Sequence, residues 1–150
     1  MKKLKLLIII LSVWLIPSTV FAYKNVTVRI YGTNVFNCAG LETTNIDEDI
    51  LGLSFINAIP INMCMVFNTK HHYFSEMSMR DMYMNVGVIA VSSGRVTQDF
   101  IAKKEVSNGQ LVNYGFKQRI KTYIEVNRKV INEFNIIPGD IVQIVRKSSY

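Results

Sequence analysis

The stretch covering residues 121–146 restricts the fold most, because its hydrophobic period changes twice. It begins with alternating apolar and polar residues, which predicts a half-buried strand. Ile124 and Val126 lie on the predicted inner face of this strand. Tyr123 and Glu125 lie on its predicted outer face.

The middle of the same stretch predicts a short helix. Val130, Ile131 and Phe134 have helical spacing, and the side chain of Asn127 can cap the first turn. Residues 138–140, Pro-Gly-Asp, end the helix and turn the chain. An Ile/Val-rich strand follows, so residues 121–146 are predicted to form one unit of strand, short helix, turn and strand.

The first 22 residues have the pattern of a secretory signal peptide. Three lysines lie within the first five residues, and an apolar run at residues 6–16 is too short to span a bilayer comfortably. Small or apolar residues then lead to Ala22. We expect cleavage between Ala22 and Tyr23, which leaves residues 23–150 as one secreted or periplasmic bacterial domain; an uncleaved N-terminal anchor is the alternative.

The charge of the expected mature chain argues against a nucleic-acid partner. Removing the three signal-peptide lysines lowers the formal net charge from +6 to +3, and no dense basic stripe with interleaved aromatic residues is present. No later segment is long and apolar enough to predict a membrane span. The sequence therefore predicts no nucleic-acid binding and no membrane span after signal cleavage.

Both cysteines, Cys38 and Cys64, lie in the expected mature domain. In an oxidising compartment two cysteines most simply form one disulfide, although free or intermolecular thiols stay as alternatives. Such a loop contributes about 3 kcal/mol in the chain-entropy treatment. The cysteine spacing matches no metal site, and no cofactor fingerprint is present, so we predict neither a metal site nor a cofactor.

The first half of the expected domain alternates strands and a loop. Residues 25–31 are β-branched and alternating, which predicts a strand. Residues 37–49 are polar and end in an acidic cluster, which predicts a solvated surface loop. Residues 61–67 are apolar, which predicts a strand buried on both faces. The disulfide would join this strand to the loop.

The second half contains the main helix that the pattern favours, at residues 76–91, with Ser75 as its cap. Helical spacing places Met79, Met82 and Val86 on one face, and such a stripe is typical of core packing. Residues 87–91 can instead form a strand. The Asn-Gly pair at residues 108–109 predicts a hairpin between residues 95–106 and 110–116.

Together these patterns predict an α+β, β-dominated domain with one main helix. The segment Ile124-Glu125-Val126-Asn127, with the helix and turn after it, resembles the closing element of double-psi β-barrels. Rare lipoprotein A, barwin and expansin modules and the 3D domain of lytic transglycosylases are of this kind. The resemblance implies a small, double-psi-like β-barrel, with an OB-like barrel as the alternative. Swapped-hairpin barrels of transcription regulators have a similar pattern.

Both the positions where this chain matches the family pattern and those where it differs bear on the candidate site. The acid that precedes the helix in the family is Glu125 here, which makes Glu125 the candidate catalytic residue, with Asp99 second. The family's catalytic Asp is not matched, because Asn113 is followed by Tyr114, and Ser93 stands where a His is expected. A noncatalytic barrel that binds cell-wall glycan, such as peptidoglycan, or an envelope partner is therefore favoured.

Three other hypotheses stay open. A peptidoglycan lytic enzyme would use Glu125 as its acid. An oligomeric, glycan-binding B subunit of the pertussis or cholera toxin type fits the order of signal, early disulfide, helix and strand. A periplasmic inhibitor or immunity protein fits the size. The sequence identifies no ligand-binding residues and no oligomeric state.

Overall fold

The computed structural model describes residues 23–45, 48–49, 52–53, 57–70, 72–104 and 113–147. The predicted signal peptide and the cleavage site after Ala22 lie outside these residues, apart from Tyr23. The described elements follow the chain in this order: β1 (Lys24–Tyr31), β2 (Val35–Glu42), β3 (Met63–Asn68), β4 (Phe74–Ser78), β5 (Val86–Ser92), β6 (Arg95–Ala102), β7 (Asn113–Ile120), β8 (Thr122–Asn127), α1 (Lys129–Glu133) and β9 (Ile141–Arg146).

Seven strands form a closed barrel in the order β1-β2-β3-β8-β5-β6-β9, and β4 and β7 form a separate two-stranded sheet. The strands β2 and β3 pair in parallel, and the other barrel pairs are antiparallel. The predicted β-dominated barrel and the unit β8-α1-β9 are confirmed. Asn127 Oδ1 accepts a hydrogen bond from the Lys129 N–H at 3.0 Å, although the helix N-cap position itself is Arg128.

The interior of the barrel is filled by alternate residues of its strands, as Val26, Val28 and Ile30 of β1 illustrate. The helix α1 closes one part of this core, since Val130 and Ile131 are buried there. A second core lies on the outer face of β3, β5 and β8, where the β4-β7 sheet covers them. These three strands are therefore buried on both faces.

This second core corrects the prediction for β8. Its inner residues Ile124 and Val126 are buried as predicted, but Tyr123 and Glu125 on the outer face are also only 5% and 4% exposed. Alternating polarity usually marks a face in water. Here a second sheet covers that face, so the prediction of a half-buried strand was wrong.

The predicted main helix at residues 76–91 was also wrong, because this segment contains β4 and β5. β5 forms ladders with both β6 and β8, which satisfy its backbone groups, and its β-branched residues suit this extended position. The predicted core packing of the stripe Met79, Met82 and Val86 is confirmed, since all three side chains are buried. The alternative that residues 87–91 form a strand is confirmed as well.

The strand β6 pairs with β5 and β9, whereas β7 pairs with β4, so the predicted pairing of β6 with β7 was wrong. Ser93 and Gly94, with φ of 50° and 70°, form the tight turn between β5 and β6. Positive φ at both central residues is the geometry that matches strand twist in a two-residue hairpin. The Asn-Gly pair at residues 108–109 lies outside the described residues.

The predicted disulfide between Cys38 and Cys64 is confirmed. Cys38 lies on β2 and not on a loop, so the prediction of a surface loop over residues 37–49 was wrong for its first part. β2 forms ladders with β1 and β3, which supply its backbone hydrogen bonds despite its polar side chains. The predicted buried strand at residues 61–67 is confirmed from Met63 onward as β3, whereas Ile61 lies in an exposed turn. The disulfide therefore joins two neighbouring strands of the barrel.

Candidate functional site

A cleft of about 360 Å³ opens beside the second core, between the outer face of β8 and the residues around β4. We call it the Glu125 cleft. Volumes of this order are typical of small-ligand sites. Its lining includes Asp49, Phe67, His72, Phe74, Tyr123 and Glu125.

Glu125 is the most unusual side chain of the cleft. It is 4% exposed, and its Oε2 atom has no hydrogen-bond partner among the described residues. Burial raises the pKa of Glu125 to about 8. The side chain is therefore mainly a neutral carboxylic acid at pH 7, which can both donate and accept a hydrogen bond.

Asp49 brings a second largely buried carboxyl group to the cleft, in addition to the exposed ones of Glu76 and Asp81. Its Oδ1 atom likewise has no partner in the described part of the chain, and its Oδ2 atom lies 4.0 Å from His72 Nε2. Burial raises the pKa of Asp49, although a hydrogen bond with Thr43 and the charge of His72 act in the opposite direction. The pKa values of Glu125 and Asp49 are thus both higher than those of free carboxyl groups.

His72 is held in place from both sides of its ring. Its Nδ1 atom lies 2.8 Å from the Thr69 hydroxyl, while its Nε2 atom faces Asp49. The ring also contacts Phe74 edge-on, with centroids 5.1 Å apart. This arrangement orients the imidazole toward the carboxyl group that lacks a full set of partners.

The wall of the cleft is an aromatic stack. The rings of Phe67 and Tyr123 are 4.4 Å apart at 6°, and Phe74 meets Tyr123 edge-on at 4.9 Å. Burial raises the pKa of Tyr123 well above its usual value, and the charges of Glu125 and Asp49 add to this shift. The aromatic rings thus supply apolar contacts, and the neutral carboxyl group of Glu125 beside them supplies hydrogen bonds.

The structure places the sequence-predicted site residues in different regions. Glu125 lies in the cleft, whereas Asp99 lies on β6 and is not among the residues that line it. Ser93 lies in the β5-β6 turn, and Asn113 and Tyr114 lie on β7. The resemblance to double-psi barrels therefore pointed to one residue of the cleft and missed its neighbours.

Asp49 and His72 are the missed ionisable residues of the inner cleft, and Glu76, Arg80 and Asp81, which also line it, were missed as well. The acidic cluster at residues 47–49 and the histidine pair at residues 71–72 were the signals of Asp49 and His72 in the sequence, but neither signal gives a distance. The cluster is not a solvated loop throughout, because Glu48 is completely buried; Asp47 and His71 lie outside the described residues. No group of three or more His, Cys, Asp or Glu side chains in the described part of the chain is placed to hold a metal ion.

The family model for DUF192, described as an uncharacterized ACR, matches residues 35–144. The chain belongs to the DUF192 family. The matched region runs from β2 into β9, so in this DUF192 protein it contains Asp49, His72 and Glu125. No curated protein matches the chain.

Two solved structures share the fold of this DUF192 protein. A protein of unknown function from Novosphingobium aromaticivorans is 20% identical, with a TM-score of 0.70 over 83% of this chain and 89% of that chain. A putative transcription regulator from Sinorhizobium meliloti is 13% identical, with a TM-score of 0.67 over 81% of this chain and 94% of that chain. The described residues contain no helix with the length and apolar character of a membrane span.

Proposed function

We propose that this protein is an exported bacterial envelope protein that binds cell-wall glycan, without cleaving it, in the Glu125 cleft. The observation that supports this proposal best is the unpartnered carboxyl group of Glu125 beside the stacked ring of Tyr123. Sugars present hydroxyl groups on their edges and C–H groups on their faces. The neutral acid suits the hydroxyl groups, and Phe74, a partly buried ring that lines the same cleft, suits the C–H groups.

The inner part of the cleft suits a hydroxyl group, because burial keeps the Glu125 carboxyl group protonated near pH 7. The exposed carboxylates of Glu76 and Asp81 lie elsewhere in the lining. A sugar hydroxyl group can donate a hydrogen bond to a neutral carboxyl group and accept one from it. No charged group has to be removed from water to form these bonds.

Two further observations support export. The first 22 residues have a signal-peptide pattern. The Cys38–Cys64 disulfide suits the oxidising conditions outside the cytosol. Together with the resemblance of the β8-α1-β9 unit to double-psi barrels, they favour a ligand in the cell envelope.

The test is retention of purified residues 23–150 on insoluble peptidoglycan. We expect the wild-type protein to be retained and Glu125→Leu to lose most of the retention, because leucine cannot hydrogen-bond a sugar. Replacing a buried, unpartnered acid by an apolar side chain also favours folding. Glu133→Leu, on the exposed part of α1, is the matched control. Lack of retention of the wild-type protein would contradict the proposal.

A second candidate function is glycan cleavage with Glu125 as the proton donor. The specific observation is its pKa of about 8, which keeps a transferable proton at neutral pH, with Asp49 as a second carboxyl group. Release of reducing ends from peptidoglycan would support cleavage. Glu125→Gln should abolish that release while the fold persists; release that is unchanged in Glu125→Gln would exclude Glu125 as the acid.

A further inference from the structure

A second cleft, of about 490 Å³, lies beside the turn between β7 and β8. Its lining includes Tyr73, Arg119, Lys121 and Arg146, and we call it the basic cleft. The Tyr73 ring is about half exposed. Arg119 Cζ and Lys121 Nζ lie 5.2 Å and 5.1 Å from its centroid, so one ring contacts both cations.

The basic cleft has uncompensated positive charge. Arg146 already forms an ion pair with Glu42, but Arg119 and Lys121 form no ion pair within the described ranges. None of the residues that line this cleft is an Asp or Glu. Two neighbouring cations without a carboxylate partner attract an anion.

The cations are also partly ordered before any ligand binds. Contact with the same aromatic ring restricts both side chains, which lowers the entropy lost on binding. The backbone at Lys121 is held as well, because its carbonyl oxygen accepts a hydrogen bond from the Thr69 N–H at 3.0 Å. Arg119 and Lys121 are therefore better preorganised for binding a ligand than two unrestrained surface side chains would be.

A third, polar cleft of about 650 Å³ shares one lining residue with the Glu125 cleft and another with the basic cleft. Asp49 lines both the Glu125 cleft and the polar cleft. Arg146 lines both the polar cleft and the basic cleft. The three clefts are therefore neighbours, as a ligand that contacts more than one of them requires.

We propose that the basic cleft binds a carboxylate group of an acidic glycan whose neutral sugar occupies the Glu125 cleft. This inference rests on the proposed function and names its substrate class: a glycan with carboxyl substituents, as muramic acid has. The Arg119 guanidinium and the Lys121 ammonium donate charge-assisted hydrogen bonds to the carboxylate. Because both cations are exposed, the contribution weakens as the salt concentration rises.

Titration calorimetry at low salt tests this inference with two probes. One is a tetrasaccharide of alternating N-acetylglucosamine and N-acetylmuramic acid, and the other is the same molecule with its carboxyl groups converted to amides. We expect wild-type protein to bind the acid form about tenfold more tightly. The double variant Arg119→Gln, Lys121→Gln should bind both forms equally. The control Lys103→Gln, Lys104→Gln removes the same charge from two other exposed residues and should keep the preference.

The outcomes separate this inference from the proposed function. If wild-type protein binds both probes equally and Glu125→Leu weakens that binding, the inference about the basic cleft is overturned and the proposal of glycan binding stands. A preference that survives in the Arg119, Lys121 variant also overturns it. Failure of wild-type protein to bind either probe overturns both proposals. The circular dichroism spectrum and melting temperature of each variant verify that it is folded.

Discussion

Arg146 donates two hydrogen bonds to the Glu42 carboxylate, from Nε at 2.8 Å and from Nη2 at 2.6 Å, although the two residues are 104 positions apart. Glu42 of β2 pairs with Lys24 of β1, and Arg146 of β9 pairs with Val26 of β1. The two residues therefore lie on either side of β1. The ion pair therefore connects the ends of three barrel strands.

We expect Arg146→Met to lower the free energy of unfolding by about 1–3 kcal/mol, because it leaves Glu42 buried without its ionic partner. The estimate is reduced because the Arg146 side chain is 48% exposed. Urea unfolding at pH 7 measures the change. Arg29→Met, an exposed position on β1, should change stability little, and an equal loss in both variants would contradict the role of the pair.

The same pair predicts a dependence on pH. Burial alone would raise the pKa of Glu42, but hydrogen bonds from Arg146 and Asn68 and the charge of Arg146 lower it overall. A lowered pKa means that the stabilisation is present above the usual pKa of 4.5 and is lost as the pH falls through the lowered value. The stability difference between wild-type protein and Arg146→Met should shrink in acid; a difference that stays constant to pH 2 would be contrary to this prediction.

Glu125 predicts the opposite dependence. Its pKa rises from 4.5 to about 8 on folding, so the folded state holds an extra proton between these values and loses stability as the pH increases. The slope is at most about 1.4 kcal/mol per pH unit. Glu125→Gln should remove this slope, and guanidinium unfolding between pH 5 and pH 9 measures it. A wild-type slope identical to that of Glu125→Gln would refute the raised pKa; Glu133→Gln is the control.

The disulfide should stabilise the barrel measurably. Cys38 and Cys64 are 26 residues apart, and a loop of this length contributes about 3 kcal/mol by limiting the unfolded chain. Replacing both cysteines with alanine should lower the free energy of unfolding by at least this amount, because both side chains are also buried. Reducing agent should lower the stability of wild-type protein and leave the double variant unchanged.

Gly87 tests the packing of α1 against β5. A Cβ atom at Gly87 would lie 3.0 Å from both Ile131 Cγ1 and Val126 Cγ2, which is too close without movement of the core. Gly87→Ala should therefore cost about 1–3 kcal/mol of stability. Gly115→Ala is the matched control on β7, since no described atom lies within 4 Å of its added Cβ. Thermal unfolding of both variants decides whether the contact limits side-chain size.

Met79 tests the second core. Its side chain has no exposed surface, so Met79→Ala should lower the free energy of unfolding by about 2–5 kcal/mol. Met63→Ala is the control, because Met63 is 44% exposed. Equal effects of the two substitutions in urea unfolding would show that the core beneath the β4-β7 sheet contributes little.

The β8-α1-β9 unit was predictable because its signals are local. The spacing of Val130 and Ile131 and the Pro-Gly-Asp turn act within a few residues of each other. The partners of β6 and β7 were not predictable in the same way. The short Ser93-Gly94 turn directs β6 onto β5, whereas the Asn-Gly pair pointed to a different hairpin.

The candidate site also contains one residue that the sequence indicated and others that only the fold brought together. The family resemblance selected Glu125, but polarity alone indicated that its side chain faced water. Asp49 and His72 belong to segments that the sequence separates, and only the folded chain places their side chains 4.0 Å apart. A pKa depends on burial and on neighbouring groups in space, so no local pattern contains it.

The local patterns of the sequence were sufficient for a β-rich domain, a disulfide between its two cysteines, and a short helix that leads into the last strand. The tertiary structure decided which strands pair, which polar face became covered and which ionisable groups share a cleft. The physical reason is that turn preference and hydrophobic period act over a few residues. The double-sided burial of β8 depends on the β4-β7 sheet, whose two strands lie far apart in the chain.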